Sequence, residues 1–426
     1  NLVESLATVV TTGGDLVAFF LSKSEQYRLK ALNENKAFME MLGLLSEVYV
    51  TGFAAGPLFI ITLLVVLGIV GGENFFILNV VTYLMIPGGA ILFVVLLSSI
   101  TREHEEILEA PELKKKEDNI ILQRADLRFL VFQFMQNPLL KLIEKPGMVL
   151  YFSVPPALLF FLLSTYTFFG LEFEQLIYAV DDYIIFSTFI AFGPYSIFME
   201  IHARRIRKII GSFPELLNRL VSFHESGLTI AKSISKLRFS ELGVLDSEVR
   251  KMNSDIEWSG SVVEAFKNFG ARVKTLSALR VAALLESASR MTGNIKDTLA
   301  IAATDAFTNK TLLEERKTAM KMQLIIIYIS FFIFLYVVQS LVSGFLPQIQ
   351  TVPAGGEEAA ALIGEGIKFS EIDKPLYVRL FFHSAVLVGF FSGLVAGQIS
   401  EGDARLGLKH SIVMVLIAYG VFSLIS

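Results

Sequence analysis

The sequence predicts an all-α, polytopic membrane protein with about seven crossings and a helical polar block between the fourth and the fifth. Three observations carry that expectation. The chain is 53% hydrophobic and only 18% charged, with a mean hydropathy of +0.59, well beyond the balance of an ordinary globular domain. It contains seven apolar runs of bilayer-spanning length, and the longest polar stretch shows helical spacing and capping residues with no competing strand pattern.

The runs lie near 49–70, 75–100, 148–169, 183–201, 323–346, 376–398 and 408–425. Each approaches the 20 residues or so that a helix needs to cross about 30 Å of hydrocarbon. Orientation follows from the loops. Segment 202–322 holds 20 Lys/Arg against 13 Asp/Glu, and 101–147 holds eight Lys/Arg, among them Lys114, Lys115, Lys116, Arg124 and Arg128. Positive loops stay inside. Segment 170–182 has four acids and no base, the turn with Glu73 is acidic, and the loop from Pro347 to Lys374 has five acids against two lysines. Those three are expected outside, whereas the turn with Arg405 and Lys409 returns inside. All six connections alternate consistently, which puts Asn1 inside and Ser426 outside.

The approach to the fifth span (284–334) resembles the approach to the first (2–53). Each has an L-[VL]-E-S start, a Gly-containing turn and a charged helix that runs into the membrane. Glu4 matches Glu286, Gly14 matches Gly293 and Leu16 matches Ile295; Glu34, Lys36, Met39 and Met41 match Glu315, Lys317, Met320 and Met322. This reads as a duplicated unit. The first copy is expected to lack its upstream half, so a further segment, or a removed signal peptide, is expected before Asn1.

Within the polar block, Ser212-Phe213-Pro214-Glu215 fits a capping box, with Leu216, Leu217, Leu220 and Phe223 at helical spacing and Gly227 as a stop. Thr229 is placed to cap a second helix with Ile230, Ile234 and Leu237, forming an antiparallel hairpin with the first. Asp246 opens the next helix, Ser261 and Glu264 form another capping box, and Gly270 is expected to end that helix. A longer one is expected over 274–291, and Asn294 caps the last, which continues into the fifth span.

The stretches "FPELLNRL…ESGLTIAKSI", "DIEWSGSVVEAFKNFG", "ESASRMTGNIKDTL" and "LLEERK" resemble the type II secretion F domain, the platform component of type II secretion systems, type IV pili and archaeal filaments. Pro214, Glu215, Gly227, Trp258, Glu286, Gly293 and Glu315 carry that resemblance. Residues 49–68 and 390–422 resemble the archaeal flagellar (archaellum) platform family and its pilus relatives. The resemblance implies residues 1–48 as the end of a first cytoplasmic F domain, spans in 49–100, a cytoplasmic loop over 101–147 and spans in 148–201. A second F domain follows over 202–322, then spans in 323–426. It also implies a hexameric secretion-type motor ATPase and pilin-like filament subunits as partners, with a homodimer compatible and no nucleic acid involved.

Chemistry of its own is not expected. There is no Cys, and the five histidines (His104, His202, His224, His383, His410) show no i, i+3 or i+4 pairing, so neither a metal site nor a thiol nucleophile is predicted. No phosphate-binding G-x-x-x-x-G-K-[ST] loop, nucleophile elbow or HEXXH helix occurs. The chain is therefore expected to be no enzyme and to hold no cofactor. Charges at membrane depth are limited to Glu47, Glu200, Arg379 and His383, expected to snorkel or pair, with Asp373 a partner for Arg379.

Pro57, Pro87, Pro155 with Pro156, and Pro194 place prolines in the first four spans and predict kinks. Gly389, Gly393 and Gly397 form a small-residue stripe that serves helix packing, within the chain or against another subunit. Arg204, Arg205, Arg207 and Lys208 lie directly below the fourth span, where they serve as orientation determinants or as an ATPase-docking patch extended by Lys232, Lys236, Arg238, Arg250 and Lys251. The functional expectation is a filament-assembly platform at the cell membrane. Its rival is a secondary transporter built on the duplicated helical unit.

Overall fold

The structure, a computed structural model, describes residues 2–69, 75–105, 138–166, 168, 173–273, 276–290, 295–347 and 374–424. Among them there is no strand, and seven helices are long and apolar enough to span a bilayer. The chain is an all-α, multi-pass membrane protein.

The first unit comprises α1 (Leu2–Thr11) and α2 (Leu16–Tyr49), which continues through a π turn (Val50–Ala55) into α3 (Gly56–Ile69). Asp15 caps α2 by accepting from the Val17 and Ala18 amides at 2.8 and 3.3 Å, which satisfies donors that no preceding turn can reach. The second span is α4 (Phe75–Val80), a π turn (Val81–Met85) and α5 (Ile86–Glu105). A short α6 (Pro138–Glu144) precedes the third span, α7 (Gly147–Tyr166).

The fourth span is part of α8 (Phe173–Glu225), a single helix of 53 residues. At 1.5 Å per residue it measures about 80 Å, far more than a bilayer requires. Its terminal half belongs to a bundle completed by α9 (Ile230–Leu237), α10 (Asp246–Ser259), α11 (Val262–Val273), α12 (Leu276–Arg290) and the start of α13 (Ile295–Ser340). α13 then forms the fifth span and ends in a π turn (Leu341–Phe345). α14 (Lys374–Glu401) and α15 (Leu408–Ser423) close the membrane part as a hairpin.

Two sequence expectations for the bundle are corrected. Ser212 does not cap a helix: its hydroxyl donates to the Lys208 carbonyl at 2.9 Å, and α8 passes straight through Pro214. The missing proline N–H leaves one carbonyl unpaired, but Phe213, Leu216, Leu217 and Leu220 all bury in the bundle core on the same helix, and that burial outweighs the lost bond. Gly270 does not end α11 either. A Cβ there would lie 3.3 Å from the Ala282 Cβ, so the residue permits close approach of α12 while Phe266, Phe269 and Val273 keep one helical face buried.

Other boundaries follow the sequence. Gly227 takes φ +83° and closes α8, with its amide on the His224 carbonyl and the Leu228 amide on the Phe223 carbonyl. Thr229 caps α9 through the Lys232 amide at 3.4 Å, and Ser261 accepts from the Glu264 amide at 3.3 Å. The Asn294 cap, Gly293, Lys114, Lys115, Lys116, Arg124, Arg128 and the acidic stretch 348–373 lie outside the described residues.

Each π turn ends two residues before a proline. The amides of Gly56, Ile86 and Leu346 reach back five residues to Thr51, Val81 and Leu341, and Pro57, Pro87 and Pro347 follow. Widening the turn there relieves the clash a proline ring makes with the carbonyl four residues earlier. Pro155, Pro156, Pro194 and Pro214 instead lie inside α-helices.

α2 and α13, the helices that approach the first and the fifth span, lie side by side and parallel. Arg316 of α13 covers the Phe38 ring of α2 at 5.3 Å, and one to two turns on, the Cβ position of Gly43 meets Gln323 at 3.2 Å. Phe38, Leu42 and Met320 are buried in the same membrane-side core.

Candidate functional site

The bundle surface carries a basic and aromatic region. Trp258, the chain's only tryptophan, is 94% exposed near the end of α10, and Phe239, just beyond α9, is 78% exposed. The Arg238 guanidinium sits 4.5 Å from the Phe239 ring centroid and 3.9 Å from Glu257, so the ends of α9 and α10 meet here. Lys232, Lys236 and Arg250 are exposed, while Lys251 pairs with Glu248 at 2.7 Å. Glu248 also accepts from Arg272 at 3.0 Å, and Arg272 reaches Asp255 at 2.7 Å, a staple between α10 and α11. Burial pushes the Glu248 carboxyl up, but the bonds from Lys251 and Arg272 outweigh it and hold the group below the ordinary carboxylate range.

Where the bundle meets the membrane segment, the four basic residues beneath the fourth span take different roles. Glu200 accepts from Arg204 at 2.6 Å, Arg207 at 3.1 Å and Lys409 at 2.7 Å. Glu401, the last residue of α14, accepts from Arg207 at 2.7 Å and from Lys409. Each acid thus holds both Arg207 and Lys409 in a closed ring that joins α8, α14 and α15. Both carboxylates are largely buried, at 15% and 14% side-chain exposure. Arg205 pairs with Glu144 at 3.8 Å, next to the contact in which the His202 ring reaches the Ile143 carbonyl at 2.7 Å, and Lys208 is exposed. Sequence reasoning grouped Arg204 and Arg207 with Lys208 because all three are basic; it missed that acids 194 and seven residues away in the chain claim Arg207.

At the opposite end of α8 a second cluster joins three spans. Buried Asp181 lies 2.8 Å from both Arg379 and His383 of α14, and the other His383 nitrogen contacts the Tyr83 hydroxyl in the second span's π turn. Asp181 is therefore a partner of Arg379 among the described residues, and Asp373, the partner expected from the sequence, lies outside them. Glu47 is exposed on α2 beside Leu44 and Val48.

The glycine stripe lies at contacts inside the chain. A Cβ on Gly393 would come within 2.1 Å of the Ser411 amide, one on Gly397 within 2.1 Å of the Gly407 backbone, and one on Gly389 would meet Phe331 of α13 at 3.0 Å. Ser411 adds a hydrogen bond to the Phe390 carbonyl at 2.6 Å. Of the residues that carry the family resemblance, Pro214 is buried within α8, Glu215 pairs with Arg219 at 2.5 Å, Gly227 forms the turn, Trp258 and Glu315 are exposed, and Glu286 is half-buried on α12.

These features define a multi-pass helical membrane protein whose helical bundle is joined to its spans by unbroken helices, with no cluster of metal-ligating side chains among the described residues. Residues 216–342 match the family model of the type II secretion system protein F. The match begins inside α8, covers the rest of the bundle and ends in the π turn of α13, so this segment is an F-type domain of the kind found in membrane platform proteins of type II secretion and type IV pilus-like machines. The uncharacterised protein MJ1286 of Methanocaldococcus jannaschii is 24% identical over 210 residues, 49% of this chain and 33% of that protein. The alignment thus spans about a third of the relative's length. No solved structure matches the chain.

Proposed function

We propose that this chain is the integral membrane platform of an archaeal type IV filament machine, an archaellum or a pilus. In this reading the bundle faces the cytoplasm, residues 202–322 form a complete F domain and 1–48 the end of another, and the last helix ends outside. A hexameric secretion-type ATPase acts on the bundle, and pilin-like subunits are received among the spans. The chain itself hydrolyses nothing. One observation carries the reading: an F-type domain whose first and last helices, α8 and α13, run without a break into the membrane. Motion imposed on the bundle then reaches the spans without crossing a flexible linker. Lys208, Lys232, Lys236, Arg238 and Arg250 supply exposed positive charge for an acidic motor surface, and Trp258 and Phe239 supply the aromatic area that dominates binding energy at protein interfaces.

The test is reconstitution with a hexameric secretion-type ATPase from the same organism. Trp258→Ala combined with Lys236→Glu should weaken co-purification at least tenfold while membrane insertion is unchanged. Equal recovery of the ATPase would remove this surface from the mechanism, and loss of the gene without loss of filaments would overturn the platform reading itself.

A further inference from the structure

We infer that the closed ring Glu200–Arg207–Glu401–Lys409 is a coupling joint that passes movement of α8 to the α14–α15 hairpin. The inference rests on the platform reading for its purpose but not for its geometry. Among the described residues, α8 is the only element that contributes both to the bundle core, from Ile209 onward, and to this ring, through Arg207 two residues and Glu200 nine residues earlier. The hairpin contributes the other two members from either side of its turn, Glu401 and Lys409. That turn is itself fixed: Gly402 takes φ +79°, Gln398 donates to the Gly402 carbonyl at 3.1 Å and accepts from the Ala404 amide at 2.8 Å, and Asp403 accepts from the Arg405 amide at 2.9 Å.

Behind the turn, Gly393 and Gly397 let α14 pack directly on the backbone of Ser411 and Gly407, and the Ser411 hydroxyl bonded to the Phe390 carbonyl at 2.6 Å ties the two helices together. The hairpin therefore moves as one piece, and the ring is where the bundle grips it. Two acids each bonded to the same two bases resist shear better than one ion pair does, because displacing α8 along the hairpin must break bonds to both Arg207 and Lys409 at once. Each side chain is also already ordered by its other partner, which lowers the entropy lost per bond. At the far end of the same two helices, Asp181 with Arg379 and His383 ties α8 to α14 again, so the ring is the only one of the two ties that the bundle can load directly.

The chain lacks cysteine, so Lys208→Cys and Arg405→Cys give a clean spin-label pair across the joint. In the full chain in nanodiscs, pulsed dipolar spectroscopy should give a narrow distance distribution. Arg207→Glu and Glu401→Arg should each broaden it at least twofold, and the double swap Arg207→Glu/Glu401→Arg should restore it. The milder Arg207→Gln, checked by an unchanged helical circular dichroism signal, covers the case in which a reversal fails to fold. A distribution that stays narrow in Arg207→Gln overturns the joint. In cells carrying the unlabelled variants, filament number should fall with either reversal and recover in the swap. Broadening without any change in filament number overturns the coupling role while leaving the platform reading intact, and absence of filament dependence in the wild type overturns that reading while the distances still report the joint.

Discussion

At the scale of single residues, two carboxylates, buried Asp181 and half-buried Glu248, carry separable consequences. Asp181 is shared by Arg379 and His383. Replacing it with Asn keeps the volume but removes the negative charge that offsets a guanidinium in low dielectric, and breaking such a pair costs roughly 3 kcal/mol. Asp181→Asn should therefore lower the denaturation midpoint in mild detergent, whereas Asp182→Asn, one residue along, should not. Glu248 behaves differently because it titrates in the bundle. Its folded-state pKa is depressed, so its contribution is complete above the unfolded carboxylate value of about 4.3 and disappears as pH falls through the lower folded value. Acidification below about pH 4.3 should then destabilise wild type more than Glu248→Gln, read from bundle melting against pH.

Partners of this kind were the least legible part of the chain. Glu200 and Lys409 stand 209 residues apart, and nothing local in the sequence marks either as the other's partner. A basic run under a span looks the same whether its members face water or an acid from another helix. The separation of Arg204 and Arg207 from Lys208 therefore needed three-dimensional contact. The small-residue stripe was visible as spacing, but its direction toward α15 and α13 was not.

At the scale of elements, the seven spans were readable because a bilayer imposes length and apolarity on each helix independently of its neighbours. The Gly227 turn and the Thr229 cap were readable because they depend on residues within five positions. The Ser212 and Gly270 boundaries failed for one reason: local punctuation was overruled by burial of Phe213, Leu217, Phe266 and Phe269 in a core assembled from distant segments. The π turns lie between these cases. Pro57 and Pro87 forecast disturbance, yet its form, a widened turn, depends on neighbours such as Phe53, which sits 2.5 Å from where a Gly89 Cβ would be.

Helix packing gives the prediction proper to this scale. Gly397→Leu puts a branched side chain where even a Cβ would overlap the Gly407 backbone. Overpacking of that severity costs about 3 kcal/mol or more. The α14–α15 hairpin should open, seen as gained protease cleavage in the 401–408 turn of the purified chain. Gly420→Leu, where no atom lies within 4 Å of the added Cβ, is the matched control and should leave cleavage unchanged.

At the scale of the whole molecule, the arrangement is a bundle held on two long helices, α8 and α13, against a membrane part tied together at both of its ends. A parallel α2 beside α13 adds a third member to that support. Stiffness is then the quantity that matters. An α-helix transmits bending and torque over several turns only while its hydrogen-bond ladder is continuous. Inserting Gly-Gly-Ser between Lys208 and Ile209, and again after Lys321, interrupts both ladders between the bundle core and the spans while leaving every residue of the bundle core in place. The altered chain should insert normally, keep its bundle melting transition within about 1 kcal/mol of wild type and still bind the motor, since surface changes away from the core usually cost less than that. Filament assembly should nevertheless be lost. A seven-residue Ala-rich insertion at the same two points lengthens each helix by about 10 Å and returns close to the original phase. It should retain more assembly than the three-residue flexible one; if the flexible insertion assembles filaments as well as wild type, force does not travel along these helices.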